Sequence, residues 1–365
     1  MVVLILEGAY WQTDNVIVCL KKEKVKQLHV ISRLAEKSFL QLYPGVGYHF
    51  FRGANDEAYL RHIQSVIKKV KATVLLSVSE TDNRFVITHQ DQLKQWIHLM
   101  PLPQLSMFET ARNKKLLANF MQQHGSPLPQ TVDNFAGNID TIAETFPFPA
   151  LLKPVIGHAG HGIIEFKNAN QFSTYAKANP IVDKNYILQE FIEGYNLSCY
   201  VLYSRGELIC CTMQKALVPG RTPFQVSMGM EFIYDDGVKV MVHKLMQQLE
   251  WNGYANIDLR FNEKTGKTLI LEINPRFSFT IQASMKTTGI NFPYLLCRLA
   301  KGEKITKPIP RTGRYIPFFV LVKNKLKGSM HGHKFSWRDV DVANSLHSLL
   351  PRIVMRLWGK NISRQ

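Results

Sequence analysis

Residues 254–278 read YANIDLRFNEKTGKTLILEINPRFS, two runs of alternating character either side of the short polar segment Asn262–Gly266. A glycine-containing polar loop between two such runs predicts a β-hairpin. Side chains alternate along a strand, so Glu272 and Asn274 share one face, as do Asn256, Asp258 and Arg260. A turn centred on Thr265 puts Asp258 directly opposite Glu272, with Cβ atoms roughly 5 Å apart. A turn centred on Lys264 makes the two acids diagonal neighbours on the same face. Facing carboxylates repel unless a cation lies between them. A hard, oxygen-seeking ion such as Mg²⁺ suits two carboxylates and an amide oxygen. The competing reading is a solvated hairpin face with acids spaced by chance.

Upstream lies LLKPVIGHAGHG, residues 151–162. Lys153 ends an apolar run, and Gly157, Gly160 and Gly162 follow in a loop. Glycines let backbone N–H groups approach phosphate oxygens, and a lysine adds a point charge. No Gly-Lys-Ser/Thr closes the loop, so it is not a Walker A sequence, and its glycine order is not that of a dinucleotide-binding turn. His158 and His161 lie in the same loop as further phosphate contacts or as exposed side chains. In ILQEFIEG, residues 187–194, an apolar strand runs into Glu190, Phe191 and Ile192 before Gly194. Such a segment can offer backbone donors and acceptors to a flat base.

Towards the N-terminus, an apolar run Val2–Leu6 is followed by a β-like stretch at Leu28–Ile31, a helical pattern over 59–72 and an apolar strand over 73–79. Strands alternating with helical patterns predict a parallel α/β domain to about residue 105. Glu7-Gly8-Ala9-Tyr10 is not a GxGxxG turn, so dinucleotide binding is not expected there. Prolines 101 and 103 mark a linker. ETARNKKLLANFMQQHG (109–125) has helical periodicity and stops at Gly125, and 148–274 reads as α+β.

The 365 residues suffice for two or three domains, and 45% hydrophobic with 20% charged residues is an ordinary globular balance. Forty-five basic against 28 acidic residues give a net charge of +17, which favours a polyanionic partner. The five cysteines are odd in number and lack CxxC spacing, which argues against a disulfide framework or zinc site and suits a reduced, cytoplasmic compartment. The first apolar run is too short for a signal peptide, and no run reaches the ~18 apolar residues of a membrane span.

In order, these segments resemble the ATP-grasp superfamily, above all its carbamoyl-phosphate-synthetase-like and D-alanine–D-alanine-ligase-like members. The resemblance covers about 105–305, and the α/β segment before it looks like the family's preceding domain. It implies a two-lobed ATP-grasp fold after the N-terminal α/β domain: 1–105, then a first lobe at 106–187 with a leading helix, a second at 188–310, and a basic extension at 311–365. It also implies metal roles for Asp258, Glu272 and Asn274 and a catalytic role for Arg276. Lys153 and Lys114 match the ATP-contacting lysines, with Lys115 an alternative for the latter. Glu190, Phe191 and Ile192 match the adenine hinge. Where family members often carry an acid for the ribose, this chain has Tyr195, Asn196 and Leu197, which leaves the contact to Asn196. Phe279 stands where carbamoyl-phosphate synthetases have a second arginine, pointing to a larger, partly apolar acceptor.

The implied function is a carboxylate–amine ligase that uses ATP and Mg²⁺, with Mn²⁺ as a substitute, and passes through an acyl phosphate. Its implied partners are a small-molecule carboxylate and an amine. A regulator that kept the fold and lost turnover is the alternative. Nucleic-acid binding is not expected, because the basic residues are dispersed and no RNA- or DNA-binding signature occurs. Oligomeric state stays open between monomer and homo-oligomer. Residues 345–360 form an amphipathic helical pattern, read chiefly as a helix docked on the core and secondarily as a peripheral membrane contact.

Overall fold

The computed structural model describes the chain except for residues 8–9, 24, 26, 34–42, 136–137, 158–159, 180–184, 219–228, 327–331 and 343–365. His158 and the 345–360 pattern therefore lie outside the described residues. Three sheets organise the rest. The first contains β1 (Val2–Glu7), β2 (Gln27–Ser32), β3 (Val46–Phe50), β4 (Val74–Ser77) and β5 (His98–Leu99), all parallel in the order β3-β2-β1-β4-β5. Val3–Leu6 are all fully buried because both faces of this sheet are covered, as parallel sheets require. Leu4 and Leu6 pack against α2 (Asp56–Val70) through Tyr59, Ile63 and Val66. Asn55 caps that helix by accepting from the Ala58 N–H. Val3 and Ile5, on the other face, join a core with Val16, Ile17 and Leu20 of α1 (Tyr10–Lys22) and with Tyr200, Leu202, Phe277 and Phe292. The N-terminal domain thus shares a core with the second lobe.

The second sheet, ordered β6-β9-β7-β8, contains β6 (Thr131–Val132), β7 (Ala150–Pro154), β8 (Ile164–Phe166) and β9 (Tyr186–Glu190). Ala150, Leu152 and Leu188 face a core with Phe135, Phe146 and Phe172. Alternation sends Leu151, Lys153 and Gln189 to the other side.

The third and largest sheet has the order β14-β13-β10-β11-β12-β15-β16. Its strands are β10 (Gly194–Ser204), β11 (Glu207–Val218), β12 (Gly229–Ile233), β13 (Gly253–Asn262), β14 (Lys267–Asn274), β15 (Gly313–Pro317) and β16 (Val340–Asp341). Cys199, Val201, Ala255 and Ile257 pack against the helices α5 (Leu105–Arg112), α6 (Lys114–Gln123) and α9 (Asp236–Gln248). The leading helices therefore rest on the large sheet rather than on the four-stranded one. Their single helical pattern is broken at Asn113, whose side chain accepts from the N–H groups of Lys115 and Leu116 and starts α6 anew. Strands β15 and β16, from the stretch read as an extension, continue the large sheet. Glu231 pairs with Arg314 at 2.9 Å, and Asp341 accepts from Lys286 and Tyr315.

Candidate active site

One cavity lies between the inner faces of the four-stranded and seven-stranded sheets. The expected hairpin forms its floor. Near the tip Asn262 pairs with Lys267 and Arg260 with Leu269, a turn centred between Lys264 and Thr265. An irregularity after Asp258 absorbs Leu271 and sets Asp258 directly opposite Glu272. Three rungs then cross the floor: Asn196 beside Arg260, Ser198 beside Asp258 and Glu272, and Tyr200 beside Asn256 and Asn274.

The two acids sit in a tight network. Asp258 accepts from the Ser198 hydroxyl at 2.8 Å and from the amide nitrogens of Asn256 at 3.3 Å and Asn274 at 2.9 Å. Asn274 also donates to Glu272 at 3.1 Å, and Lys114 Nζ lies 2.9 Å from the other Glu272 oxygen. Burial and the neighbouring Glu272 charge push the Asp258 carboxyl up. Burial also pushes Glu272 up, but Lys114 and Lys153 outweigh it and hold Glu272 below the usual carboxylate range. Two half-buried carboxylates with one buried carboxamide make an all-oxygen donor set, which fits a magnesium ion. Asn274 would offer its oxygen only by letting go of Arg276, whose Nη2 donates to it at 3.0 Å.

Arg276 stands in the loop after β14. Besides Asn274, it meets Glu80 at 3.1 Å, and its side chain is only 12% exposed. Glu80 begins α3 (Glu80–Thr88) in the N-terminal domain and also meets Arg112 at 3.4 Å. The same loop is tied down by Asn83, donating to Pro275 O at 2.6 Å, and by Gln12, donating to Phe277 O at 2.9 Å.

Across the cavity, Lys153 projects from β7 and is 7% exposed. It donates to Gln189 Oε1 at 2.6 Å, and Gln189 in turn donates to Thr131 at 3.0 Å. Burial pushes the Lys153 ammonium down to about 8; Glu272 works against this, and Lys114 and Arg260 add to it. Of the two lysines at the start of α6, Lys114 faces the cavity, whereas Lys115 turns to Asp133 at 3.4 Å. Gly157, Gly160 and His161 line the cavity wall and Gly162 does not. Gly160 and Gly162 hold φ of +74° and +75°, a region that favours glycine, and a Cβ at Gly162 would come within 2.9 Å of Pro154.

Glu190, Phe191 and Ile192 line the opposite end. The Glu190 and Phe191 N–H groups are spent on Gln130 O and Pro149 O, both at 2.9 Å. Arg260 donates to Ile192 O at 2.9 Å and to Asn196 Oδ1 at 2.6 Å. The structure thus brings every proposed site residue except Gly162 to one cavity. Sequence reasoning missed Gln189, Ser198, Arg260 as a cavity group, and Glu80. Arg260 carried a signal, since it shares the Asp258 face of the hairpin; Glu80 carried none.

Comparison with known proteins places this arrangement. Residues 111–280 match the sequence model of the ATP-grasp domain, and that segment of the chain is an ATP-grasp domain. The D-alanine–D-alanine ligase of Acetivibrio thermocellus is 23% identical over 181 residues, 45% of this chain and 47% of that protein. The carbamoyl phosphate synthase large chain of Myxococcus xanthus is 24% identical over 67% of this chain and 24% of its own length. The chain thus spans less than half the length of either relative. Among solved structures, the biotin carboxylase domain of Hydrogenobacter thermophilus 2-oxoglutarate carboxylase, in complex with MgADP, ADP and bicarbonate, superposes with a TM-score of 0.68. It is 16% identical and covers 86% of this chain and 73% of that one. At that identity the likeness is one of fold. No helix among the described residues is long and apolar enough to cross a membrane.

Proposed function

We propose that the protein is an ATP- and Mg²⁺-dependent carboxylate–amine ligase working through an acyl phosphate. The observation that carries this reading is the convergence of Lys114, Lys153 and Arg276 on the cavity that holds the Asp258–Glu272 pair. A substrate carboxylate oxygen attacks the γ-phosphorus of ATP and ADP leaves. An amine then attacks the acyl carbon, inorganic phosphate departs, and the nitrogen gives up a proton. Asp258, Glu272 and Asn274 would hold magnesium, which supplies charge neutralisation at the phosphates. Lys153, set by Gln189, and Lys114 bind phosphate oxygens, and Arg276 meets the transferring group. Glu190–Ile192 receive the base, with Asn196 and Arg260 beside the ribose. The five cysteines are all buried and unpaired, in keeping with a reducing, cytoplasmic setting. Phosphate release screened against pooled carboxylates and amines, followed by the mass of the product, tests the reading. Mass equal to the two substrates less one water supports it. Phosphate release without a condensed product counts against it.

Lys153 makes a separate prediction. Its ammonium is disfavoured in the folded protein, because its value near 8 lies below the ordinary lysine value of 10.5. The folding penalty therefore operates at pH below about 8 and is relieved as pH rises through that value towards 10.5. A polyphosphate beside Lys153 restores the charge, so binding of ATP at pH 8.5 is accompanied by proton uptake. Lys153→Ala is expected to lose contacts worth about 1.5–3 kcal/mol, roughly a 10- to 150-fold weaker affinity. It should lose the proton uptake as well. Calorimetry in two buffers of different ionisation enthalpy reads both quantities, and wild-type values in the variant contradict the assignment.

A further inference from the structure

Exposed apolar side chains are not spread evenly over the molecule. Five of the eleven large ones exposed among the described residues, Phe319, Val322, Leu326, Trp337 and Val342, fall within 319–342, inside the stretch read as a basic extension. Scattered singly they would need no explanation; gathered in one strip they mark a contact surface. The strip is firmly mounted. On the helix Phe318–Leu326, Leu321 packs inward with Val218 and Ile316, and Val320, Phe335 and Val340 close round them. Arg314 of β15 donates to Lys334 O at 2.9 Å, and Asp341 of β16 accepts from Lys286 and Tyr315. Val322 and Leu326, one turn apart on the helix, are left outside this packing, and Leu326 is 83% exposed. Next to the helix, Trp337 opens a 3₁₀ turn (Trp337–Asp339) and is 78% exposed.

Charge selects the partner. Lys323, Lys325, Lys334 and Arg338 are exposed along the same strip. Its two acids offset little: Asp341 is buried and already paired with Lys286, which leaves Asp339 against four cations. Residues 343–365 add Arg352, Arg356, Lys360 and Arg364 and no acid. A nucleic acid would use the cations but offers nothing to Val322, Leu326 and Val342. A bilayer with anionic headgroups meets both needs. Cations lie among the headgroups, aliphatic side chains enter the acyl boundary, and tryptophan prefers the interface between the two. We propose that the 318–342 strip docks the protein on an anionic membrane surface. The proposal needs neither the ligase reading nor the 345–360 pattern.

The test is flotation of the full chain with vesicles of phosphatidylcholine, alone or with about one-third phosphatidylserine. Binding is expected on the anionic vesicles, about tenfold or more weaker on the neutral ones, and falling as salt rises. Lys323→Gln with Lys325→Gln should weaken it about 10- to 30-fold, at roughly fivefold per cation. Leu326→Ser with Trp337→Ser should weaken it about tenfold or more, by removing the side chains that enter the lipid. All four side chains are exposed and none lines the cavity. Melting temperature and affinity for an ATP analogue should therefore stay as in the parent, so each variant reports on lipid alone. Trp337→Phe gives a second reading. It should still bind, while quenching of tryptophan fluorescence by bromine-labelled lipid falls. No flotation at low salt, equal binding to neutral vesicles, or unaltered binding in Leu326→Ser with Trp337→Ser overturns the proposal. Unaltered quenching in Trp337→Phe overturns it too. Retention on RNA without flotation assigns the cations to nucleic acid and likewise sinks it.

Discussion

Arg276→Ala is expected to lower ATP-dependent turnover about a thousandfold or more, while nucleotide affinity changes only a few-fold. Arginines that meet a transferring phosphoryl group contribute about 10³–10⁵ in rate, because charge spreads over that group most fully in the transition state. Arg276 is set up for such a role before substrate arrives: Glu80 holds its Nε and Asn274 its Nη2. Arg276→Lys should recover little, since one ammonium cannot keep both contacts and reach the substrate. Glu80→Gln removes the ionic hold but leaves the guanidinium in place. It should lower kcat about tenfold with little change in KM for ATP, a smaller effect than removal of a preorganised donor. Single-turnover phosphate release, read beside a nucleotide titration, checks all three. A loss below tenfold in Arg276→Ala would remove it from the reaction.

The Glu80 contact gives the N-terminal domain a physical task. In open parallel sheets the crevice outside the carboxyl ends of strands, where strand order reverses, is the usual ligand site. Here that reversal falls between β1 and β4, and the segment following β4 holds the loop over 275–277. Val78 O accepts from the Phe277 N–H, Asn83 holds Pro275, and Ser77 orients Asn83 at 2.6 Å. The missing glycine signature in the first strand–helix turn agrees with this use. The crevice fixes the loop that carries Arg276.

How much of this was legible in the sequence depends on the range of the interaction. The hairpin was legible because alternation and a polar turn are local, and they brought Asp258 and Glu272 onto one face. Its register was legible only to within a residue, because the irregularity at Leu271 moves the pairing between tip and acids. The choice between Lys114 and Lys115 was not legible, since it turns on Asn113 capping α6 and on Asp133 drawing Lys115 away. Glu80 lies 196 residues from Arg276 and Gln12 265 from Phe277. No spacing rule reaches that far.

The two acids of the hairpin are expected to be alike in activity and opposite in stability. Asp258→Asn and Glu272→Gln should each reduce turnover about a thousandfold or more, since each removes half the charge that would hold magnesium. Without metal or nucleotide, the variants diverge. Asp258 is held against both burial and the charge of Glu272, so Asp258→Asn relieves repulsion while disturbing one of its three hydrogen bonds. These effects oppose, and the melting temperature should stay close to that of the parent. Glu272 is instead the counter-charge of Lys114 at 2.9 Å and also draws on Lys153. Removing it leaves two largely buried ammonium groups uncompensated, at a cost of about 1.5–3 kcal/mol. A clear fall in melting temperature is expected for Glu272→Gln alone, and Lys114→Met on that background should restore part of it. Melting curves with and without Mg²⁺ and an ATP analogue give the second reading: added metal should stabilise the parent and neither variant. If Asp258→Asn kept its metal-dependent stabilisation, the hairpin would not be the metal site; if both variants lost equal stability, the pairing of Glu272 with the lysines would not be its structural role.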